Sequence, residues 1–318
     1  MAKVLPEQVI PAERGALPTA PCPRRGLIAW AFYDWANSPF TTLIITFVFP
    51  AYFAQAITAN ETRGQALWGY AIAVSGLIIA VLSPILGAIA DAGGRRKPWL
   101  LVFTLLCISA SALLWYARPQ PTSIALSLLL TVLANIGFEF GVAFNNAMLP
   151  DLAPESHIGR WSGWAWGLGY AGGLAALAIE LFVFFEQPLS WLNRAGAEQV
   201  RIVGPLVALW FALFTWPLFV WTPDRPGTGL SIFSATQRGL VMLRKTLRNL
   251  SEERNLLRFL VAHMLYTDAL VGIFTFGGIY AAGTFGMTLA EVTLFGIILN
   301  VTAGFGAFSF AWIDDWIG

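Results

Sequence analysis

The chain has 318 residues, 57% of them hydrophobic and 14% aromatic but only 12% charged. Its mean hydropathy is +0.66. A soluble domain carries about 25% charged residues, so most of this surface cannot face water, which excludes a soluble enzyme. The net charge of +1 leaves no basic excess for neutralising phosphates, which excludes a nucleic-acid partner. Cys22 sits in a polar tail and Cys107 in an apolar block, so no disulfide framework is expected.

Residues 1–26 are polar and proline-rich, without the apolar core or cleavage pattern of a signal peptide, and predict a loose cytoplasmic tail. Eight apolar blocks follow, near 27–57, 66–90, 98–117, 122–147, 161–185, 202–221, 257–282 and 290–312. Each approaches or exceeds the roughly 20 residues that a helix needs to cross the hydrocarbon core. The fold class is therefore an all-α integral membrane protein in the lipid bilayer.

Orientation follows from the basic residues, which favour the cytoplasmic side. With the amino terminus inside, fifteen lysines and arginines fall on that side, and only Arg63, Arg118, Arg194 and Arg201 fall outside. Both termini are then cytoplasmic, with residues 27–221 forming six spans and 257–318 two more. In the intervening loop, 222–256, Leu240, Leu243, Leu247 and Leu250 recur at helical steps, with Arg238, Arg244, Lys245 and Arg248 on other faces. That is the pattern of a helix in the headgroup layer; a solvated linker or a partner-binding surface would read similarly.

Between spans two and three the chain reads GAIADAGGRRK, with Gly87, Asp91, Gly94, Arg95 and Arg96 at set spacings. Glycines permit a tight turn and close helix approach, and an aspartate at a helix end can meet a helix amino terminus or an arginine. A positive-inside anchor would serve as a simpler reading. The pattern returns imperfectly as AWIDDWIG, with Ala311, Asp315 and Gly318 at the same spacing, 224 residues later. Internal repeats of this kind build many transporters.

The loop resembles the signature of the major facilitator superfamily. Three longer strings are similar to one branch of it, the autophagy-associated vacuolar amino-acid effluxers and their bacterial relatives. These are WAFYDWANSPF from Trp30, FNNAMLPDLAPESHIGRWSGWAWGLGYAGG from Phe144, and LYTDAL from Leu265. The resemblance implies twelve spans in two halves and alternating access. On that basis the chain holds a complete first half and two helices of the second, as a truncated transporter would. It further implies that spans one, four and seven line a central cavity, and the tail, lacking an organelle-targeting pattern, favours a bacterial inner membrane.

Small residues at steps of three and four mark close-packing faces in lipid. They are Gly69, Ala73, Gly76, Ala80, Ser83 and Gly87 in span two, Gly163, Gly167, Gly169, Gly172 and Gly173 in span five, and Gly296, Ala303, Gly304, Ala307 and Ala311 in span eight. Charges at bilayer depth cost at least roughly 2.5–3.5 kcal/mol, so they mark partners or wet cavities. In span one Asp34, Asn37, Ser38 and Thr41 form one polar stripe; in span four Asn135, Glu139 and Asn146 form another. Asp268 in span seven shares a face with Thr275. These carry the substrate and proton-coupling candidates: Asp34, Asn37, Thr41, Asn135, Glu139, Asn146 and Asp268. Asp34 also reads as an interfacial cap and Glu139 as a structural hydrogen-bonding group. Glu180, Glu186 and Glu291 lie near outer ends and need no special role, and Trp161, Trp164 and Trp166 fit an interfacial aromatic belt.

The expected function is secondary transport of a small polar solute, amino acids among them, driven by a proton or solute gradient. The alternatives are a non-transporting scaffold or receptor, and an inactive fragment of a transporter. His157 and His263 have no catalytic company, no phosphate-binding GxxxxGK[ST] loop appears, and neither a metal nor another cofactor is expected.

Overall fold

The structure, a computed structural model, describes residues 22–58, 60–185, 192–249, 253–285 and 289–317. Within them the chain is helical, with no strand. Among the described residues, seven helices are long and apolar enough to cross a membrane: Arg24–Ile57, Glu61–Gly93, Lys97–Tyr116, Pro121–Leu152, Glu155–Phe184, Glu198–Trp221 and Arg254–Ile273. The eighth predicted span falls on the helix Leu289–Ile317, whose apolar stretch is the shorter Ile297–Phe310.

Helix α1, Arg24–Ile57, is continuous but not regular. Pro39 and Pro50 each remove a backbone donor, and the helix widens into π-turns over Phe40–Phe47 and Phe53–Ile57. Helix α2, Glu61–Gly93, starts at Asn60, whose side-chain oxygen accepts from the Arg63 amide at 2.9 Å. It ends at Gly94, where φ is +84°. Then follow α3, Lys97–Leu113, with a proline in its first turn; α4, Ile124–Leu152; α5, Ile158–Ile179, extended by π-turns to Phe185; and α6, Val203–Trp221. The loop region holds α7, Ile232–Asn249, and the last two helices are α8, Arg254–Phe285, and α9, Leu289–Ile317.

Helix α1 is the centre of the bundle, packed against α5 and α6, while α3 packs on α4 and α6, and α2 on α4. Trp30, Tyr33, Phe40, Phe140 and Phe211 fill the space between them. Glycines set the closest approaches: a Cβ at Gly172 would lie 2.6 Å from the Trp35 carbonyl oxygen, joining α5 to α1, and one at Gly137 would lie 2.7 Å from the Cys107 amide, joining α4 to α3.

The predicted small face of span five therefore exists but is divided. Gly169, Gly172 and Gly173 face α1, whereas Gly167 faces Phe308 of α9. The face predicted on span two is open: a Cβ at Gly69, Gly76 or Gly87 would meet nothing within 4 Å among the described residues. Two of the three tryptophans assigned to a belt instead build a seam. Trp161 packs edge-on to Trp164, which lies 6.1 Å from Trp312 of α9, and the Arg160 guanidinium sits 4.1 Å over the Trp312 ring. Trp166 is exposed, as a belt residue would be.

Candidate functional site

The best-formed polar constellation lies at the ends of α2, α4 and α6. Gly94 turns the chain out of α2, and the following residue pair splits in role. Arg95 is exposed and makes no ion pair among the described residues. Arg96 is buried, and its guanidinium reaches Asp91 at 3.1 Å, Asp151 at 3.0 Å and the Ala147 carbonyl oxygen. Asp151, at the end of α4, also pairs with Arg225 from the segment after α6. The planar fork of arginine allows one side chain to hold three acceptors at once.

Asp224 completes the arrangement from the opposite direction. Its carboxylate accepts from the backbone amides of Arg96 at 3.0 Å and Lys97 at 3.2 Å, at the start of α3. The first amides of a helix have no partner within it and carry partial positive charge, so this carboxylate caps α3 from a residue 128 positions away. Lys97 returns the favour, its Nζ donating to the carbonyl oxygens of Phe219 at 2.8 Å and Thr222 at 2.6 Å, the carboxy-terminal end of α6. Thr228 then closes the end of α2, its amide and hydroxyl donating to Gly93 and Ala92 carbonyls at 3.1 Å and 2.9 Å. The stretch 222–228 is thus not a solvated linker but a strap across the loop between α2 and α3.

Gly94 is required twice over at this turn, by its positive φ and because a Cβ would lie 2.5 Å from the Pro226 carbonyl oxygen. Gly94→Ala should lower stability by about 1–2 kcal/mol from the left-handed backbone alone. Thermal unfolding in detergent checks it; an unchanged midpoint would show that strap and turn separate freely.

Of the loop-signature residues, the structure joins Asp91, Gly94 and Arg96 in this network and leaves Arg95 and Gly87 outside it. Asp91 is its loose end, with 63% of its side chain exposed. Asp151, Asp224 and Arg225 were missed, although Asp151 stands inside the LPDLA string. An acidic residue at a helix end was visible; its partner was not. Of the repeat copy, Gly318 lies outside the described residues, as do Glu186 and Leu250, and so do the side chains of Asp315, Leu247, Thr275 and Glu291.

The mid-span candidates separate into three groups. On α1, Asn37 is buried, and Asp34 borders α5: a Cβ at Gly169 would be 2.8 Å from the Ser38 hydroxyl and 3.4 Å from the Asp34 Cβ. Ser38 and Thr41 donate back to the Asp34 and Ser38 carbonyl oxygens at 2.7 Å and 3.0 Å, so their hydroxyls serve their own helix. On α4, Asn135 is buried and donates to the Ser75 hydroxyl at 2.9 Å, tying α4 to α2. Glu139 and Asn146 are exposed on the same helix, and Asp268 is exposed on α8. No hydrogen bond or ion pair joins Asp34, Glu139 and Asp268 among the described residues.

Two buried groups were not anticipated. Asn145 on α4 is 0% exposed with neither amide atom partnered among the described residues, while the indole of Trp30 donates to its backbone carbonyl at 2.8 Å. Glu180, set aside in the sequence as an outer-end residue, is 1% exposed at the start of the π-turns of α5. Neither of its carboxylate oxygens has a hydrogen-bond partner among the described residues. Its only sequence signal was an acid inside the apolar run ALAIELFVFF.

The family model described as vacuole effluxer Atg22-like matches residues 57–160 and 155–317. The chain belongs to this family. It is 29% identical over 263 residues to the uncharacterized MFS-type transporter YxiO of Bacillus subtilis, covering 80% of this chain and 59% of that protein. It is 23% identical over 308 residues to autophagy-related protein 22 of Coccidioides immitis, covering 77% and 50%. A shorter match, 30% identical over 165 residues, joins it to autophagy-related protein 22 of Pyricularia oryzae, covering 48% and 23%. The chain thus spans 59% of the Bacillus subtilis relative and about half of the Coccidioides immitis one. Membership places it in the major facilitator superfamily, as the YDWANS and LPDLA strings implied, and its helical bundle agrees.

Proposed function

We propose that the protein is a secondary active transporter of a small polar solute, amino acids among them, working by alternating access with proton coupling at Glu139. The observation that carries this reading is Glu139 itself, an exposed carboxylate near the middle of α4 in a family of transporters. A carboxylate at that depth is costly on a lipid-facing or closed surface, and is retained where a wet cavity receives it. Asn146 is exposed on the same helix and offers both donor and acceptor to a polar solute. Asp34, Asn37 and Thr41 on α1 and Asp268 on α8 are the further substrate candidates, while Asn135 has its amide engaged with α2.

Coupling follows from the difference between a charged and a neutral side chain. Proton uptake at Glu139 removes the charge that opposes closure around it, and release restores that opposition, so the proton biases which cavity shape is favoured. The loop network at Arg96 would act as the cytoplasmic gate, because it links the ends of α2, α4 and α6. The excess of lysine and arginine on one side supports cytoplasmic termini in a cell inner membrane.

The test is Glu139→Gln in the full-length protein, reconstituted into proteoliposomes and assayed over an amino-acid panel. Gradient-driven accumulation should be lost while exchange of internal for external solute persists. Accumulation against a gradient with an unchanged pH profile would make Glu139 structural. Absence of both accumulation and exchange in the wild type, across the panel, would count against an amino-acid substrate.

A further inference from the structure

Helix α7 carries four basic residues, Arg238, Arg244, Lys245 and Arg248, and no acidic one. It is fixed to α2 by direct backbone contact. A Cβ at Gly239 would lie 2.6 Å from the Ala88 carbonyl oxygen and 2.9 Å from the Ile89 nitrogen. Ala235, one turn earlier, is buried on the same face. The crossing point fixes the depth at which α7 lies. Helix α2 has 33 residues, about 50 Å at 1.5 Å per residue, enough to cross the bilayer including both headgroup layers, about 40–45 Å. Ala88 precedes the end of α2 by five residues, about 7 Å, which is the depth of a headgroup layer rather than of open water.

The rest of the α7 surface suits that layer. Phe233 is 79% exposed and Val241 65% exposed, beside the exposed side chains of Arg238, Arg244 and Lys245. None of these three cations makes an ion pair among the described residues. The carboxylate nearest in the chain that the structure describes is Glu253, which lines a cleft with Lys245, Thr246 and Asn249. Apolar and cationic groups side by side are what a leaflet of anionic lipid receives: the charges meet phosphates and the apolar groups enter the acyl boundary.

We propose that α7 is a binding site for anionic phospholipid, with Arg238, Arg244 and Lys245 holding headgroup phosphates and Phe233 and Val241 reaching the acyl chains. The site rests on the cytoplasmic placement of the loop and not on transport. Because α7 is seated on α2 at Ala88, directly before the Asp91–Arg96 turn, lipid bound there stabilises the strap 222–228 in place.

The experiment is native mass spectrometry of the purified chain titrated with phosphatidylglycerol or phosphatidylcholine in detergent. Wild type should retain phosphatidylglycerol preferentially. Each cation near an anionic surface is worth about fivefold in affinity, so the combined Arg238→Gln, Arg244→Gln, Lys245→Gln variant should lose more than about tenfold of that preference. All three residues are exposed, so its unfolding midpoint should stay at the wild-type value. The charge-keeping variant Arg238→Lys, Arg244→Lys, Lys245→Arg should bind as wild type does. Equal retention of the two lipids by wild type would overturn the site and leave α7 as a surface for an acidic protein segment. Unchanged preference in the neutral variant, or equal loss in the charge-keeping one, would overturn it as well.

Discussion

Arg96→Gln should destabilise the chain by about 3 kcal/mol, the cost of leaving a buried carboxylate without its main partner. Asp151 has a side chain 10% exposed, and with Arg96 gone only Arg225, itself 32% exposed, remains to it. Arg96→Lys should recover little, because one ammonium cannot span Asp91, Asp151 and the Ala147 carbonyl together. Asp91→Asn is the informative comparison. Its carboxylate is 63% exposed, and an exposed ion pair contributes at most about 1 kcal/mol. Chemical or thermal unfolding of the three variants in one detergent would give the order directly. If Asp91→Asn costs as much as Arg96→Gln, the network is not centred on the buried pair with α4. In the full-length protein the same order should hold for the proposed transport, since the network joins the ends of α2, α4 and α6.

Gly172→Leu should strongly destabilise the membrane-embedded bundle. Its Cβ would fall 2.6 Å from the Trp35 carbonyl oxygen, 3.1 Å from the Cα and 3.2 Å from the carbonyl carbon, all backbone atoms of α1. That carbonyl also accepts from the Trp210 indole at 3.1 Å, and the Trp35 ring stacks 5.5 Å from Trp210. Forcing α1 and α5 apart therefore loosens α6 as well. Overpacking alone costs typically about 1–3 kcal/mol, and the loss of the Trp210 bond adds about 1 kcal/mol. Gly76→Ala on α2 is the control, because nothing lies within 4 Å of its Cβ position among the described residues. It should raise stability by up to about 1 kcal/mol through helix propensity. Far-ultraviolet circular dichroism on heating would read both; equal effects at the two glycines would show that the α1–α5 approach carries no special constraint.

The two variants mark different reaches of the sequence. Composition and block length were enough for the class, because a bilayer imposes a local condition: about 20 apolar residues per crossing. The predicted block 27–57 and helix Arg24–Ile57 end together, and the loop signature at Gly87 to Arg96 sits on the observed turn out of α2. Within 222–256 the structure has the helix Ile232–Asn249. Glycine at position 94 was legible for the same local reason, a turn that needs positive φ.

What the tertiary structure alone decided is which side of each helix faces a neighbour. In water, apolar periodicity points inward; in lipid both the core and the surroundings are apolar, so periodicity does not separate them. Hence the stripe Asn135, Glu139 and Asn146 divides, with Asn135 on Ser75 of α2 and the other two exposed, although all three lie on one helical face. For the same reason the glycine face of α2 meets no neighbour among the described residues, while that of α5 is shared between α1 and α9. Long-range pairs were equally out of reach. Asp224 caps α3 across 128 positions and Arg225 meets Asp151 across 74, contacts that depend on how the ends of α2, α3, α4 and α6 converge. Glu180, an ordinary outer-end acid in the sequence, is buried only because α5 turns it into the bundle. Hydropathy and charge are properties of a segment and were readable there; partnership is a property of the packed bundle and was not.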